Sequence, residues 1–379
     1  MKWKVMLSDT DLDEEEINAV VEVLKSKWIS MGPVTQRFEK EFSNYLGVKH
    51  AFGVSSGTAA LHLALRALDI KRGDEVIVPS LTFVATANAV LYCNAKPVFA
   101  DITSLDDLNV SPDEIQEKIT DKTKAIIVVH YAGYPCDMRA IMEIAEDYGL
   151  RVIEDSAHAI GAEYMGKKCG TIGDVGCFSF FANKNLVTGE GGMVVTDDDR
   201  IAERIRILRS HGMTSLTWDR YRGHAYTYDV VDLGYNYRLN EISSAMGIVQ
   251  LKKLDRNNRK REKVFSEYKK RLRGIEGLSI PFKRFRGKPS YHIFPIILSE
   301  EIDRIEFMQR LREEGIQTSI HYPPVHLFTY YRREFGFREG MLPKTEYVGR
   351  HEVTLPLHPL MTRRDVELVC EAIERFLYG

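Results

Sequence analysis

Between residues 50 and 200 the chain alternates between two kinds of segment, and this alternation limits the possible folds more than any other feature. Short apolar, β-rich runs occur at EVIVP (75–79), KPVFADI (96–102), KAIIVVH (124–130), RVIED (151–155), GCFSFF (176–181) and GMVVT (192–196). Helix-length patterns lie between several of them: TAALHLALRAL (58–68), FVATANAVLYC (83–93) and DMRAIMEIAEDYG (137–149), whose final glycine suits a helix C-terminus. Apolar runs this continuous are buried on both faces. The expected fold class is therefore α/β, a mostly parallel central sheet covered on both sides by helices. Upstream, Ile17, Val20, Val21 and Leu24 share one helical face, and Asp13 with Glu16 has capping-box spacing, which predicts an amphipathic N-terminal helix.

The pattern changes near Asn240. NEISSAMGIVQLKKLDRNNRKREKVFSEYKKRL is long, helical in period and charged on one side, as a helix joining two domains would be. YHIFPIIL (291–298), a helix near 302–315, IQTSIHY (316–322) and a final helix after Thr362 then suggest a smaller α+β unit. The expected division is a large α/β domain over 1–240, a connecting helix over 241–275 and a small C-terminal α+β domain over 276–379.

Composition narrows the function classes. With 52 Lys+Arg against 54 Asp+Glu, charge gives no reason to expect nucleic acid or an anionic membrane as partner. KKLDRNNRKREK is basic, but its interspersed acid points to a solvated helix face. No run approaches the roughly 18–20 apolar residues of a membrane span, and the acidic N-terminus lacks a secretion signal's apolar core. The five cysteines show no CxxC spacing, so neither a disulfide framework nor a structural metal site is expected. A reduced, cytoplasmic setting follows as the expectation.

In open α/β sheets ligands collect beyond the carboxyl ends of the strands, which directs attention to four places. Ser55-Ser56-Gly57-Thr58 precedes a helix; it reads either as an N-cap and tight turn or as an anion cradle of small residues and free N–H groups. Glu154-Asp155 closes RVIED; the acids are either solvated or positioned to pair with a cofactor's ring nitrogen or a metal, with His158 nearby. Ser179 and Lys184 lie between two apolar strands, ahead of the turn at Gly189-Glu190-Gly191-Gly192, where a desolvated lysine can lose its proton and form a Schiff base. The fourth group comprises Tyr235-Asn236-Tyr237-Arg238, His321-Tyr322 and His326, each more easily read singly as structural. The GEGG turn lacks Rossmann spacing and nothing follows the Walker pattern, so nicotinamide binding and nucleoside-triphosphate hydrolysis lose support.

Taken together and in order, these segments resemble the DegT-type family of pyridoxal-phosphate (PLP)-dependent nucleotide-sugar aminotransferases, of the aspartate-aminotransferase fold (fold type I). The resemblance runs through WISMGPVTQRFEKEFSNYLGVKHAFGVSSGTAALHLAL, VPSLTFVATANAV, VVHYAGYPCDM, EDSAHAIGAEY, GTIGDVGCFSFFANKNLVTGEGGMVVT, LGYNYRLNEISSAMGIVQL, IHYPPVH and LPLHP. It implies that Lys184 is the Schiff-base lysine that also moves protons at the substrate carbon, and that Asp155 pairs with the pyridine nitrogen. It further implies a phosphate site at Gly57 and Thr58 with the Ser179 hydroxyl, Phe83 stacked on the cofactor ring, and His158 near the ring hydroxyl where many members have glutamine. Asn236 matches a residue given to the neighbouring subunit's phosphate, which implies a homodimer with shared active sites.

The FFANK form, with Phe181 where many members have histidine, is similar to perosamine-synthase-related members and implies a 4-keto-6-deoxy nucleotide sugar as acceptor, with L-glutamate as donor. Relatives that act as dehydratases carry histidine in place of the lysine, so Lys184 implies transamination. Two alternatives stay open: an aminotransferase acting on another ketone such as an inosose, and a cofactor-binding regulatory protein. His326 and the loop 211–226 are candidates for substrate contact.

Overall fold

The computed structural model describes residues 3–215 and 227–379, so most of the loop read at 211–226 lies outside the described residues. Seven strands form the main sheet: β1 (His50–Val54), β2 (Glu75–Pro79), β3 (Lys96–Ala100), β4 (Thr123–Val129), β5 (Arg151–Asp155), β8 (Val175–Ser179) and β9 (Gly192–Thr196). Between β5 and β8, two-residue strands β6 (Glu163–Tyr164) and β7 (Lys167–Lys168) make a separate small hairpin. The main sheet runs β1-β9-β8-β5-β4-β2-β3, with β9 antiparallel to both neighbours and the other pairs parallel.

Alternation along the strands explains why both faces are covered. Val76, Val78, Ala125, Ile127 and Ile153 enter one core with α3 (Gly57–Ala67), α4 (Ala85–Tyr92) and the later helix Asp199–Leu208. Ile77, Ile126, Val128 and Val152 enter another with Pro112–Glu117 and Met138–Tyr148. The last of these helices ends, as expected, on Gly149 in the left-handed conformation at φ 63°.

The predicted N-terminal helix is α1 (Glu14–Ser26), and the Asp13–Glu16 capping box is formed. Its buried face differs from the expectation: Ile17, Val21 and Leu24 are exposed, whereas Glu16 and Val23 are buried. Glu16 turns inward because the long helix Glu241–Arg271 supplies Lys253 Nζ at 2.7 Å and Gln250 Nε2 at 2.7 Å. The buried Glu16 carboxylate is thereby both ion-paired and hydrogen-bonded. The next helix, α2 (Pro33–Leu46), also packs on this long helix.

The first half of the long helix gives Ile248, Leu251 and Leu254 to a core beside β8 and β9. Its second half gives Val264, Phe265 and Tyr268 to the core of a second sheet. That sheet is antiparallel, in the order β10 (Leu278–Ser279), β11 (Phe294–Leu298), β12 (Glu352–Leu355). The segment 316–322 makes only the isolated bridges Val5–Ile316 and Ser319–Thr354. Among the described residues no helix is long and apolar enough to cross a membrane.

Candidate active site

Because β1, β2, β4, β5 and β8 run the same way, their carboxyl ends deliver side chains to one edge of the sheet. There they enclose a cavity of about 410 Å³. Each strand end contributes differently, and neighbouring residues are sorted by strand alternation.

At the end of β5 the adjacent acids part company. Asp155 faces the cavity, while Glu154 is buried on the opposite side. Burial opposes ionisation of Glu154, but His130 Nε2 at 2.9 Å and the N–H groups of Gly170, Ile172 and Gly173 hold its carboxyl below the ordinary range. Glu154 is thus a brace for the loop entering β8. Burial pushes the Asp155 carboxyl up, and this is countered by the Thr86 hydroxyl at 2.9 Å, the Ala157 N–H and the charge of Lys184. A cationic group placed against Asp155 would restore its ionised form.

Lys184 lies in the turn between β8 and β9, where its N–H donates to Phe181 O. Crowding by protein atoms lowers its amine from 10.5 to about 8, with Asp155 acting in the opposite sense. The next residue anchors the turn: Asn185 Nδ2 donates to Asn258 Oδ1 and to Ser290 O, and its Oδ1 lies 2.9 Å from His292 Nδ1. A lysine held on such a mount keeps a defined position while its amine gives up its proton more readily than an exposed lysine would.

After β1, Ser56 caps α3 by accepting from the Ala59 N–H, and the first intrahelical bond runs from Ala60 N–H to Ser56 O. The N–H groups of Gly57 and Thr58 precede it and point out of the helix start, where an anion is favoured. Only glycine fits at 57, since a Cβ there would come within 2.8 Å of Ser179 Cβ. Phe83 lines the cavity with 58% of its surface exposed, and Phe181 with 46%. Such exposure of large aromatic faces inside a cleft suits a flat ligand.

The structure brings Gly57, Thr58, Phe83, Asp155, His158, Ser179 and Lys184 together around this cavity. Asn236 does not line it: it is exposed, bridged to Ser210 beside the end of β1. His326 is not there either. It is fully buried, with Nδ1 2.7 Å from Ser80 Oγ and Nε2 3.2 Å from Glu346, so it holds two chain segments together. Its neighbours His321 and Tyr322, which singly look structural, do line the cavity. Sequence reading missed Thr86, Asn185 and Glu190; the signal for Thr86 was its place in the first turn of the helix after β2.

The group the cavity accepts has to be flat, anionic at one end, basic at a ring nitrogen and reactive toward an amine. One further atom asks for a partner: His158 Nδ1 is buried with no hydrogen-bond acceptor or donor among the described residues. PLP meets these requirements.

Comparison with known proteins agrees. The model of the DegT/DnrJ/EryC1/StrS aminotransferase family matches residues 10–374. The spore coat polysaccharide biosynthesis protein SpsC of Bacillus subtilis is 42% identical over 97% of this chain and 96% of its own length. Helicobacter pylori PseC, an aminotransferase involved in pseudoaminic acid biosynthesis, superposes with a TM-score of 0.92 at 31% identity, covering 100% of this chain and 99% of that one. Spr1654 of Streptococcus pneumoniae, solved in PMP and PLP forms, gives TM-scores of 0.91 and 0.90 at 30% identity; the PMP form covers 97% of this chain and 98% of that one.

Proposed function

The chain belongs to the DegT/DnrJ/EryC1/StrS aminotransferase family of PLP-dependent sugar aminotransferases, and on that premise we propose that it moves the amino group of L-glutamate to the ketone of a nucleotide-linked 4-keto-6-deoxy sugar. The product is an amino sugar for polysaccharide or glycan assembly. The observation that carries this reading is the convergence of Lys184, Asp155 and the α3 N-terminus on one cavity. When bound, PLP supplies the electron sink and carries the amino group between the two halves of the reaction.

The chain's own residues divide the remaining work. The N–H groups of Gly57 and Thr58, with the Ser179 hydroxyl, hold the phosphate. Asp155 keeps the ring nitrogen protonated, and Phe83 covers the ring. Lys184 would hold the cofactor through its amine and would move the proton at the reacting carbon; an amine near 8 can both accept and return it. Asn236, exposed beside β1, is assigned to the phosphate of a second copy, giving a homodimer with shared sites. The polysaccharide role of the similar SpsC supports the proposed product class.

The test is the visible spectrum of the protein with PLP, before and after L-glutamate, followed by addition of nucleotide-linked keto sugars or inososes. We expect a yellow band that bleaches with glutamate and returns with a 4-keto-6-deoxy nucleotide sugar. Return with inosose alone would replace the acceptor assignment. A band unresponsive to every amino donor would favour a regulatory role.

A further inference from the structure

We propose that Tyr322 is a positioning residue that fixes the tautomer of His158, leaving the hydrogen on Nδ1 for donation to an anionic oxygen of the bound cofactor. The proposal rests on the reading of the cavity as the cofactor site. It concerns how the His158 ring is prepared before any ligand arrives.

The argument is one of donors and acceptors. His158 is 4% exposed, and its Nε2 lies 3.0 Å from the Tyr322 hydroxyl, the rings being nearly parallel at 27°. Tyr322 is half-buried, and desolvation of its hydroxyl, with Asp155 and Glu352 acting in the same sense, holds the phenol well above its usual 10 and therefore protonated. Among the described residues that hydroxyl has His158 as its hydrogen-bond partner. If Nε2 carried the hydrogen, the phenolic hydrogen would lack an acceptor among the described residues and the buried Nδ1 would be an acceptor without a donor, two unmet groups where the other tautomer leaves one. The phenol therefore donates, Nε2 accepts, and the neutral ring carries its hydrogen on Nδ1. Burial, with Lys184 and His321 adding repulsion, keeps a second proton off the ring.

Among the described residues Nδ1 has no alternative partner. The neighbouring His292 ring, 4.3 Å away between centroids, directs its own Nδ1 to Asn185. Ser290 engages the His158 backbone carbonyl and not the ring. Nδ1 is thus a buried N–H without an acceptor among the described residues, on the cavity that Lys184 also lines, and it would match the ring oxygen that PLP carries next to its aldehyde. Tyr322 belongs to the 316–322 segment that runs alongside β12, so this segment reaches across the cavity to set the donor.

The experiment is a nitrogen–proton correlation spectrum of ¹⁵N-histidine-labelled protein without cofactor, the His158 signals being assigned with a His158→Gln variant. We expect an Nδ1–H tautomer in the unaltered protein and a switch to Nε2–H, or a mixture, in Tyr322→Phe, which keeps the ring volume. We also expect Tyr322→Phe to bind PLP on the order of tenfold more weakly, with the visible band still forming. An Nε2–H ring in the unaltered protein, an unchanged tautomer in Tyr322→Phe, or unchanged cofactor affinity would each overturn the proposal. Absence of the band from the unaltered protein would overturn the cofactor reading, a failure that the tautomer of the cofactor-free protein separates from this one.

Discussion

Thr86 Oγ1, in the first turn of α4, lies 2.9 Å from Asp155 Oδ2 at the end of β5, so one βα unit orients the carboxylate of another. The Thr82 hydroxyl, 2.8 Å from that of Thr86, completes the chain. Replacing Thr86 by Val keeps the shape and removes the donor. A hydrogen bond to a charged group contributes roughly 1.5–3 kcal/mol. Thr86→Val is expected to weaken PLP binding about tenfold to a hundredfold, measured by equilibrium titration of the visible band.

Lys184 sets a pH dependence for cofactor capture. Only the neutral amine attacks an aldehyde, so the rate of band formation should rise with pH and level off above about 8. The Asp155 charge raises this value, so in Asp155→Asn the midpoint should move to lower pH. A midpoint near the ordinary lysine value of 10.5 would contradict the desolvated setting. Stopped-flow absorbance over pH 6–10 separates the outcomes.

Gly57→Ala places a Cβ 2.8 Å from Ser179 Cβ and 3.4 Å from Ser179 Cα, so the α3 start has to move away from β8. Overpacking of this kind costs about 1–3 kcal/mol. Thermal unfolding should record that loss, and the phosphate contact should suffer with it. Inorganic phosphate is expected to compete with PLP in the unaltered protein and to compete poorly in this variant.

Glu241 caps α2 from a distance. Its carboxylate accepts from the N–H groups of Gly32, Val34 and Thr35 and from the Thr35 hydroxyl, at 2.7–2.9 Å. The local N-cap, Gly32, offers no side chain of its own. Glu241→Gln turns an amide toward these donors and is expected to lower stability by roughly 2–4 kcal/mol. Denaturant unfolding provides the check.

Glu352 and the buried histidines bias stability in opposite directions. Burial lifts the Glu352 carboxyl from 4.5 to about 8 against the pull of Thr354, the His321 N–H and Arg304. The folded chain then holds a proton that the unfolded chain has released, so this contribution is complete below 4.5 and lost as pH rises through 8. Burial lowers His62 and His321 to about 4, so their contribution is complete above 6.5 and lost as pH falls through 4. Between pH 6.5 and 8 the Glu352 trend remains, worth about 2 kcal/mol; Lys184 acts oppositely only toward the top of that range and beyond. Glu352→Gln, whose amide mimics the protonated acid, should flatten the decline in melting temperature over this window.

Much of the scaffold was legible because it depends on local physics. The continuous apolar runs at 75–79, 124–130 and 151–155 became strands of the parallel sheet, and the Asp13–Glu16 spacing became a capping box. The exposed stripe of α1 was not legible, since its outward orientation depends on Lys253 and Gln250, more than two hundred residues away. His326 and Tyr322 exchanged expectations for the same reason. Four residues apart in sequence, one is walled in by Ser80 and Glu346 and the other opens onto the cavity.

Sequence alone pointed to a mostly parallel sheet, to the edge at which its polar strand ends gather and to Lys184 and Asp155 as candidates there, because hydrophobic period and motif order are properties of neighbouring residues. Alternation also required Glu154 and Asp155 to face opposite ways. Which of them met the cavity, which hydroxyl held its carboxylate and which ring met His158 were decided only in the tertiary structure. Those pairings join residues 69 and 164 positions apart, and nothing short of packing brings such groups within hydrogen-bond reach.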